Sequence, residues 1–173
     1  MAVVPTMTAE KTSRFGQRMV QYIVMMILLI AIASSATYAV MSDTSIRGLT
    51  VKFYDVSRYC APSTDSLEVL TFNFTHVIVY SSASLEVSLS HVTFAMASDG
   101  APIGTFSGLD AKFGPGQSVS YTPIFRNFNI DPHSQPSSSR IVLSVTAQVS
   151  AGLYSTTTTS SDSALVRFPG PLC

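Results

Sequence analysis

The chain has 173 residues, with ten basic and ten acidic side chains giving zero formal charge; this removes the electrostatic case for nucleic acid, which needs a clustered basic face. Charged residues make up 12%, about half the roughly 25% of an average soluble domain, and serine and threonine fill the missing polar share. There is no tryptophan and there are two distant cysteines, Cys60 and Cys173, which excludes a disulfide-dense scaffold or a zinc ribbon and leaves room for one ordinary domain plus an anchor.

Residues 1–18 form a short, net basic tail carrying Glu10, Lys11, Arg14 and Arg18. Then comes Met19 to Met41, 23 residues with no charge, whose centre from Ile23 to Ala33 has no polar side chain. About 20 apolar residues at 1.5 Å each match a hydrocarbon core of about 30 Å, and in lipid only a helix satisfies such a backbone. Arg14 and Arg18 at its edge place the tail on the cytoplasmic side. The favoured reading is a permanent signal-anchor. Two alternatives stand beside it: a secretory signal cleaved after the small residues near Ser34-Ser35-Ala36, and a pilin-type signal cut at Gly16-Gln17, whose helix would build a filament. Tyr22 and Tyr38 lie near the two ends, where aromatic rings favour the interface. Ser34, Ser35 and Ala36 could admit a second helix, although a polar fringe at the outer headgroups is the simpler account.

From Arg47 the apolar period changes to two. Leu49, Val51 and Phe53 alternate with polar neighbours, as in a half-buried strand. After a loop with Cys60 and Pro62, a long strand runs from Leu67 to Tyr80, with Leu70, Phe72, Phe74, Ile78 and Tyr80 on one parity and His76 interrupting them. Leu85, Val87 and Leu89 share a face, but Val92, Phe94 and Met96 take the opposite parity, which requires a bulge near Ser90-His91. Asp99-Gly100 signals a hairpin into Ile103–Phe106. Gly114-Pro115-Gly116 marks a turn before Ser118–Phe125, with Val119, Tyr121 and Phe125 on one side. Residues 131–139 read as a polar loop. Ile141, Leu143, Val145, Ala147 and Val149 form the cleanest strand face, and a last strand covers Thr156 to Phe168. About seven strands over residues 47–168, with no convincing helix, predict a mainly β fold: an immunoglobulin- or fibronectin-like antiparallel sandwich behind one N-terminal transmembrane helix, with 169–173 as a short tail.

No catalytic constellation emerges. His76 and His91, on strands read as neighbours, lack a placed carboxylate for a metal site, and His133 reads as a loop residue. There is no Gly-x-Ser-x-Gly elbow and no phosphate-cradling loop, so no enzyme, cofactor or metal is predicted. Outside the cytoplasm Cys60 and Cys173 are candidates for one disulfide, with free thiols or an intermolecular bond through Cys173 as alternatives. Asn73-Phe74-Thr75 is the one glycosylation sequon, and alternation turns Asn73 outward. The hydroxyl run Thr156–Ser161 suits an exposed edge strand or a flexible polar segment, the former open to O-glycosylation or strand exchange.

Val92-Thr93-Phe94, Asp99-Gly100, Pro102-Ile103-Gly104 and Gly114-Pro115-Gly116-Gln117-Ser118 together resemble the late-embryogenesis-abundant type 2, or water-stress-hypersensitive, domain. The long strand Leu67–Val79 would be that family's first core strand; Ser81-Ser82-Ala83 stands where members commonly have Asn-Pro. The resemblance covers about half the chain. It implies a fibronectin-like sandwich, often membrane-anchored, with no catalytic residues and a stress-protective role. The expected partners are membrane lipid and other protein subunits, in a homo-oligomer or a larger membrane or envelope complex.

Overall fold

The computed structural model describes residues 8–62, 68–82, 84–128 and 136–168, with side chains from Gly16 onward except at 62 and 68. The chain divides into two units, Met1–Val40 and Met41–Cys173. The helix α1 spans Thr8–Arg47. Its segment Gly16–Arg47 is 32 residues long and contains an 18-residue stretch with a mean hydropathy of 2.3. The apolar side chains in and beside that stretch are not covered by protein: Val24 is 49% exposed and Tyr22 69%.

The second unit begins inside the helix. Ser42, Ser45 and Ile46 are buried, and the Ser45 carbonyl accepts a 2.8 Å hydrogen bond from Ser81 Oγ. Gly48 then carries the chain from helix to strand. A Cβ there would lie 2.5 Å from Ser82 Oγ and 3.0 Å from the Thr44 carbonyl, a close approach that favours glycine.

Among the described residues nine strands follow: β1 (Leu49–Pro62), β2 (Glu68–Ser81), β3 (Val87–Ser98), β4 (Ala101–Ser107), β5 (Ala111–Phe113), β6 (Ser118–Tyr121), β7 (Ile124–Asn127), β8 (Ser138–Ala151) and β9 (Tyr154–Arg167). They form two antiparallel sheets. Sheet A has the order β1-β2-β6, with β7 also on β2; sheet B has the order β4-β3-β8-β9, with β5 also on β3. Because β6 and β7 share one flank of β2, and β4 and β5 one flank of β3, the nine strands occupy seven places, as expected for the sandwich. The break between β6 and β7 falls at Thr122-Pro123, where proline cannot donate to the ladder.

Between the sheets lies one core built without tryptophan. Phe53–Phe74, Phe74–Phe125 and Phe106–Phe125 pack edge to face with centroids 5.4, 5.6 and 6.5 Å apart, and Phe94 meets both Phe106 at 6.1 Å and Tyr121 at 5.0 Å. These rings tie the two sheets together by geometry that aromatic quadrupoles favour. Ile141, Leu143, Val145, Ala147 and Val149 are all buried, as their alternation predicts. The Asp99-Gly100 turn joins β3 to β4 with φ of 49° and 84°, the two left-handed residues of a type I′ hairpin. The register shift between Ser90 and Thr93, with His91 at φ 52°, supplies the bulge that lets Leu89 and Val92 both face inward.

The β1–β2 pair departs from the sequence reading. Leu70, Phe72 and Phe74 are buried, but so are Val77 and Val79, while Ile78 and Tyr80 turn outward. Asp55, at φ 51°, is the cause. It sits opposite Thr75, whose Oγ1 donates to the Asp55 carbonyl at 3.1 Å, and both strands change face there while the pairing register continues from Tyr54–His76 to Val56–Phe74. A second correction concerns the histidines. His76 lies in β2 and His91 in β3, strands of different sheets, so they are not neighbours.

Candidate functional site

The face change in β1–β2 creates a surface feature. With Ile78 and Tyr80 directed outward, they join Lys52 and Tyr54 from β1, Ser81, Gly116 and Gln117 from the turn before β6, and Ser118 of β6, around an open groove of about 430 Å³. The pairs Lys52–Ile78, Thr50–Tyr80 and Tyr80–Ser118 fix these side chains by strand register. The neighbouring turn is closed by two hydrogen bonds: Gln117 N–H donates to the Gly114 carbonyl at 3.1 Å and Gly114 N–H donates to Gln117 Oε1 at 2.9 Å, while Gly116 holds φ 72°, where glycine is preferred. Lys52 Nζ lies 3.9 Å from Asp162 Oδ1. Two phenols, one ammonium, an amide and hydroxyls line it, groups that donate or accept hydrogen bonds.

A second region lies at the far end of the sandwich. Ser137, Ser138, Arg167 and Phe168 border a cavity of about 460 Å³. Arg58 stacks its guanidinium 4.1 Å over the Phe168 ring and donates from Nη2 to the Pro136 carbonyl at 2.6 Å. Its Nε and Nη1 are buried and have no hydrogen-bond partner among the described residues. Burial pulls the Arg58 guanidinium below its ordinary pKa, with the Asp99 charge acting in the opposite sense. On the opposite flank of the molecule burial raises the Tyr121 phenol, reinforced by Asp110, and its hydroxyl donates to the Leu109 carbonyl at 3.0 Å.

The residues singled out from sequence are dispersed. Cys60 is half-buried in β1, paired across the ladder with Leu70, and is disulfide-bonded; Cys173 lies outside the described residues, as does His133. Asn73 is half-buried on the outer face of sheet A, between Ser57 of β1 and Ile124 of β7. Ser34 and Ser35 donate their hydroxyls to the Ile30 and Ile32 carbonyls at 2.8 and 2.9 Å within α1, and with Ala36 they are exposed. Gly16 and Gln17 fall inside the helix, downstream of its start at Thr8. Among the described residues no group of three or more His, Cys, Asp or Glu side chains is placed to hold a metal ion. The groove residues Lys52, Tyr54, Ile78 and Tyr80 were not predicted as a set. Their signal was the continuous apolar run Val77–Tyr80, in which either parity fits a buried face.

No family model matches the chain, and no curated protein matches it. Several solved structures match part of the chain. A protein from Archaeoglobus fulgidus is 10% identical, with a TM-score of 0.38 over 67% of this chain and 97% of its own. The putative ApaA protein from Bordetella pertussis is 14% identical, with a TM-score of 0.40 over 70% of this chain and 94% of its own. A β-glucuronidase from Bacteroides uniformis is 13% identical, with a TM-score of 0.36 over 70% of this chain and 13% of its own.

Proposed function

We propose that this chain is a single-pass membrane protein that displays a non-enzymatic β-sandwich outside the cytoplasm, as a structural or accessory interaction subunit of a membrane or envelope assembly. The observation that carries the reading is α1: within Gly16–Arg47 an 18-residue stretch reaches a mean hydropathy of 2.3, and none of that stretch is buried by protein. In water such a surface would far exceed the few hundred Å² of contiguous apolar area that monomers normally expose; in a bilayer it is solvated. The disulfide at Cys60 supports an oxidising compartment for the sandwich, with Cys173 as its partner, and Arg14 and Arg18 favour an inside tail. The open groove on sheet A offers phenols and an ammonium suited to contact with another protein rather than to chemistry.

The test is membrane topology. Membranes carrying the full chain should retain it after alkaline carbonate washing, and protease added to the outside should reach the sandwich while the tail stays protected. Release by carbonate would remove the anchor. A mature N-terminus at Gln17 would instead support a filament subunit. Non-reducing mass mapping should link the peptides holding Cys60 and Cys173 within one chain. The resemblance to stress-protective domains gives a rival role on the same fold, and protection of an unrelated enzyme through drying would favour it.

A further inference from the structure

We propose that the β8–β9 hairpin tip, Gly152-Leu153-Tyr154, is a second lipid-contact site, resting on the outer leaflet of the bilayer that α1 is proposed to cross. The inference rests on the anchor reading and names a surface of the sandwich that reading leaves unassigned. Gly152, at φ 61°, starts a two-residue turn between the paired residues Ala151 and Tyr154. Leu153 fills the other turn position, where polar or small residues are the usual choice, and it is 92% exposed, with Tyr154 at 47%.

Register places this tip at the end of the sandwich where the chain enters from the helix. Val51 N–H donates to Ser160 Oγ at 3.3 Å and Phe53 N–H to Asp162 Oδ2 at 3.2 Å, both across 109 residues. A constant offset means that β9 runs alongside β1 in the same direction, with Thr158 level with Leu49, the first residue of β1. Tyr154 therefore lies four residues further, about 13 Å at roughly 3.3 Å per residue, past the point where β1 begins and on the side of the Met41–Gly48 entry.

The occupant is identified by chemistry as well as position. No charged side chain occurs between Arg140 and Asp162, so the whole distal half of the hairpin can enter a headgroup layer without desolvating a charge. A leucine at the tip with a tyrosine beside it is the pairing that suits a boundary apolar on one side and wet on the other.

The absence of tryptophan from the chain makes the test direct, because one substitution supplies the sole indole. Three variants of the full chain, Ile27→Trp, Leu153→Trp and Leu165→Trp, are reconstituted in phosphatidylcholine vesicles with or without lipids brominated at defined depths. Leu165, 70% exposed, lies toward the other end of β9. The expected result is deep quenching for Ile27→Trp, blue-shifted emission with quenching by shallow bromines only for Leu153→Trp, consistent with insertion of about 5–10 Å, and aqueous, unquenched emission for Leu165→Trp. Quenching at Ile27→Trp with aqueous emission at Leu153→Trp overturns the hairpin contact and leaves the anchor standing. No quenching at Ile27→Trp overturns the anchor and the inference with it. Equal quenching at Leu153→Trp and Leu165→Trp also overturns the inference, since the whole sandwich would then be adsorbed on its side.

Discussion

Strands β8 and β9 are both 14 residues long and pair from Ser138–Arg167 to Ala151–Tyr154 without a break, yet they do opposite things. Every second residue of β8 from Ser139 to Ala151 is buried, whereas in β9 the inward positions Thr158, Ser160 and Asp162 are polar and half-exposed. Pairing in a sheet does not by itself confer a core face. β8 lies between β3 and β9 and looks across at sheet A, while β9 is an edge strand that looks at the edge of β1. Its inward side chains therefore meet unpaired backbone N–H groups, and serine and aspartate accept from Val51 and Phe53. The opposite flank is closed in the same way, by Tyr121 to the Leu109 carbonyl and by Asn127 Nδ2 to the Ile103 carbonyl at 3.1 Å. The sandwich thus has an apolar middle and two hydrogen-bonded seams, which is one answer to the hazard of open edges.

The largest effect should come from breaking the β8 side of this contrast. Leu143 is fully buried, and Leu143→Ala should destabilise the sandwich by about 2–5 kcal/mol, the range for a cavity left in a packed core, read as a lower urea midpoint at unchanged slope. The corresponding change on β9, Asp162→Ala, should cost less, about 1.5–3 kcal/mol, because it removes a hydrogen bond to a charged acceptor and leaves the Phe53 N–H to solvent. Equal losses at the two positions would mean that β9 is as much a core strand as β8. A neutral Asp162→Ala would mean that the β1 seam is held by shape alone.

How much of this could be read in advance follows the same division. The β8 face, the Asp99-Gly100 turn and the bulge at His91 were legible because apolar parity or turn chemistry recorded them locally. The outward turn of Ile78 and Tyr80 was not, since Val77, Ile78, Val79 and Tyr80 are all apolar and the deciding event is the left-handed Asp55 on the partner strand. The groove they form with Lys52 and Tyr54 was therefore invisible too. The hydroxyl run Thr156–Ser161 could be read as an edge strand, but not as a seam, because Ser160 and Asp162 meet their partners across 109 residues. The entry from α1 was placed at Met41 and the first strand near Arg47, while Ser42, Ser45 and Ile46 show the last helical turns to be part of the sandwich unit.

The second seam gives a smaller effect with a pH signature. Tyr121→Phe removes one hydrogen bond to the Leu109 carbonyl and should cost about 0.5–1.5 kcal/mol at neutral pH. The phenol is raised in the folded state, chiefly by burial and then by the Asp110 charge, so the fold holds this proton more tightly than the unfolded chain does. The stabilising contribution is complete below the ordinary tyrosine value of about 10 and is lost as pH rises through the higher folded value. Stability should accordingly fall more steeply above pH ~10 in the unsubstituted chain than in Tyr121→Phe. Matching alkaline profiles for the two proteins would show that Tyr121 adds nothing to the seam beyond its ring.

The smallest effect belongs to the outer side of the same two strands that open the contrast. Thr146 and Thr159 are directly paired across β8 and β9, with their hydroxyls 2.9 Å apart and exposed. Cross-strand pairs of this kind contribute about 0.2–1 kcal/mol, and water competes for both groups, so Thr159→Ala should sit near the bottom of that range in a denaturation series. A double change with Thr146→Ala should add almost nothing further, since either single change already removes the pair. If Thr159→Ala instead approached the cost of Asp162→Ala, the two faces of β9 would carry comparable energy, and the inward seam would lose its claim to be what holds this strand in place.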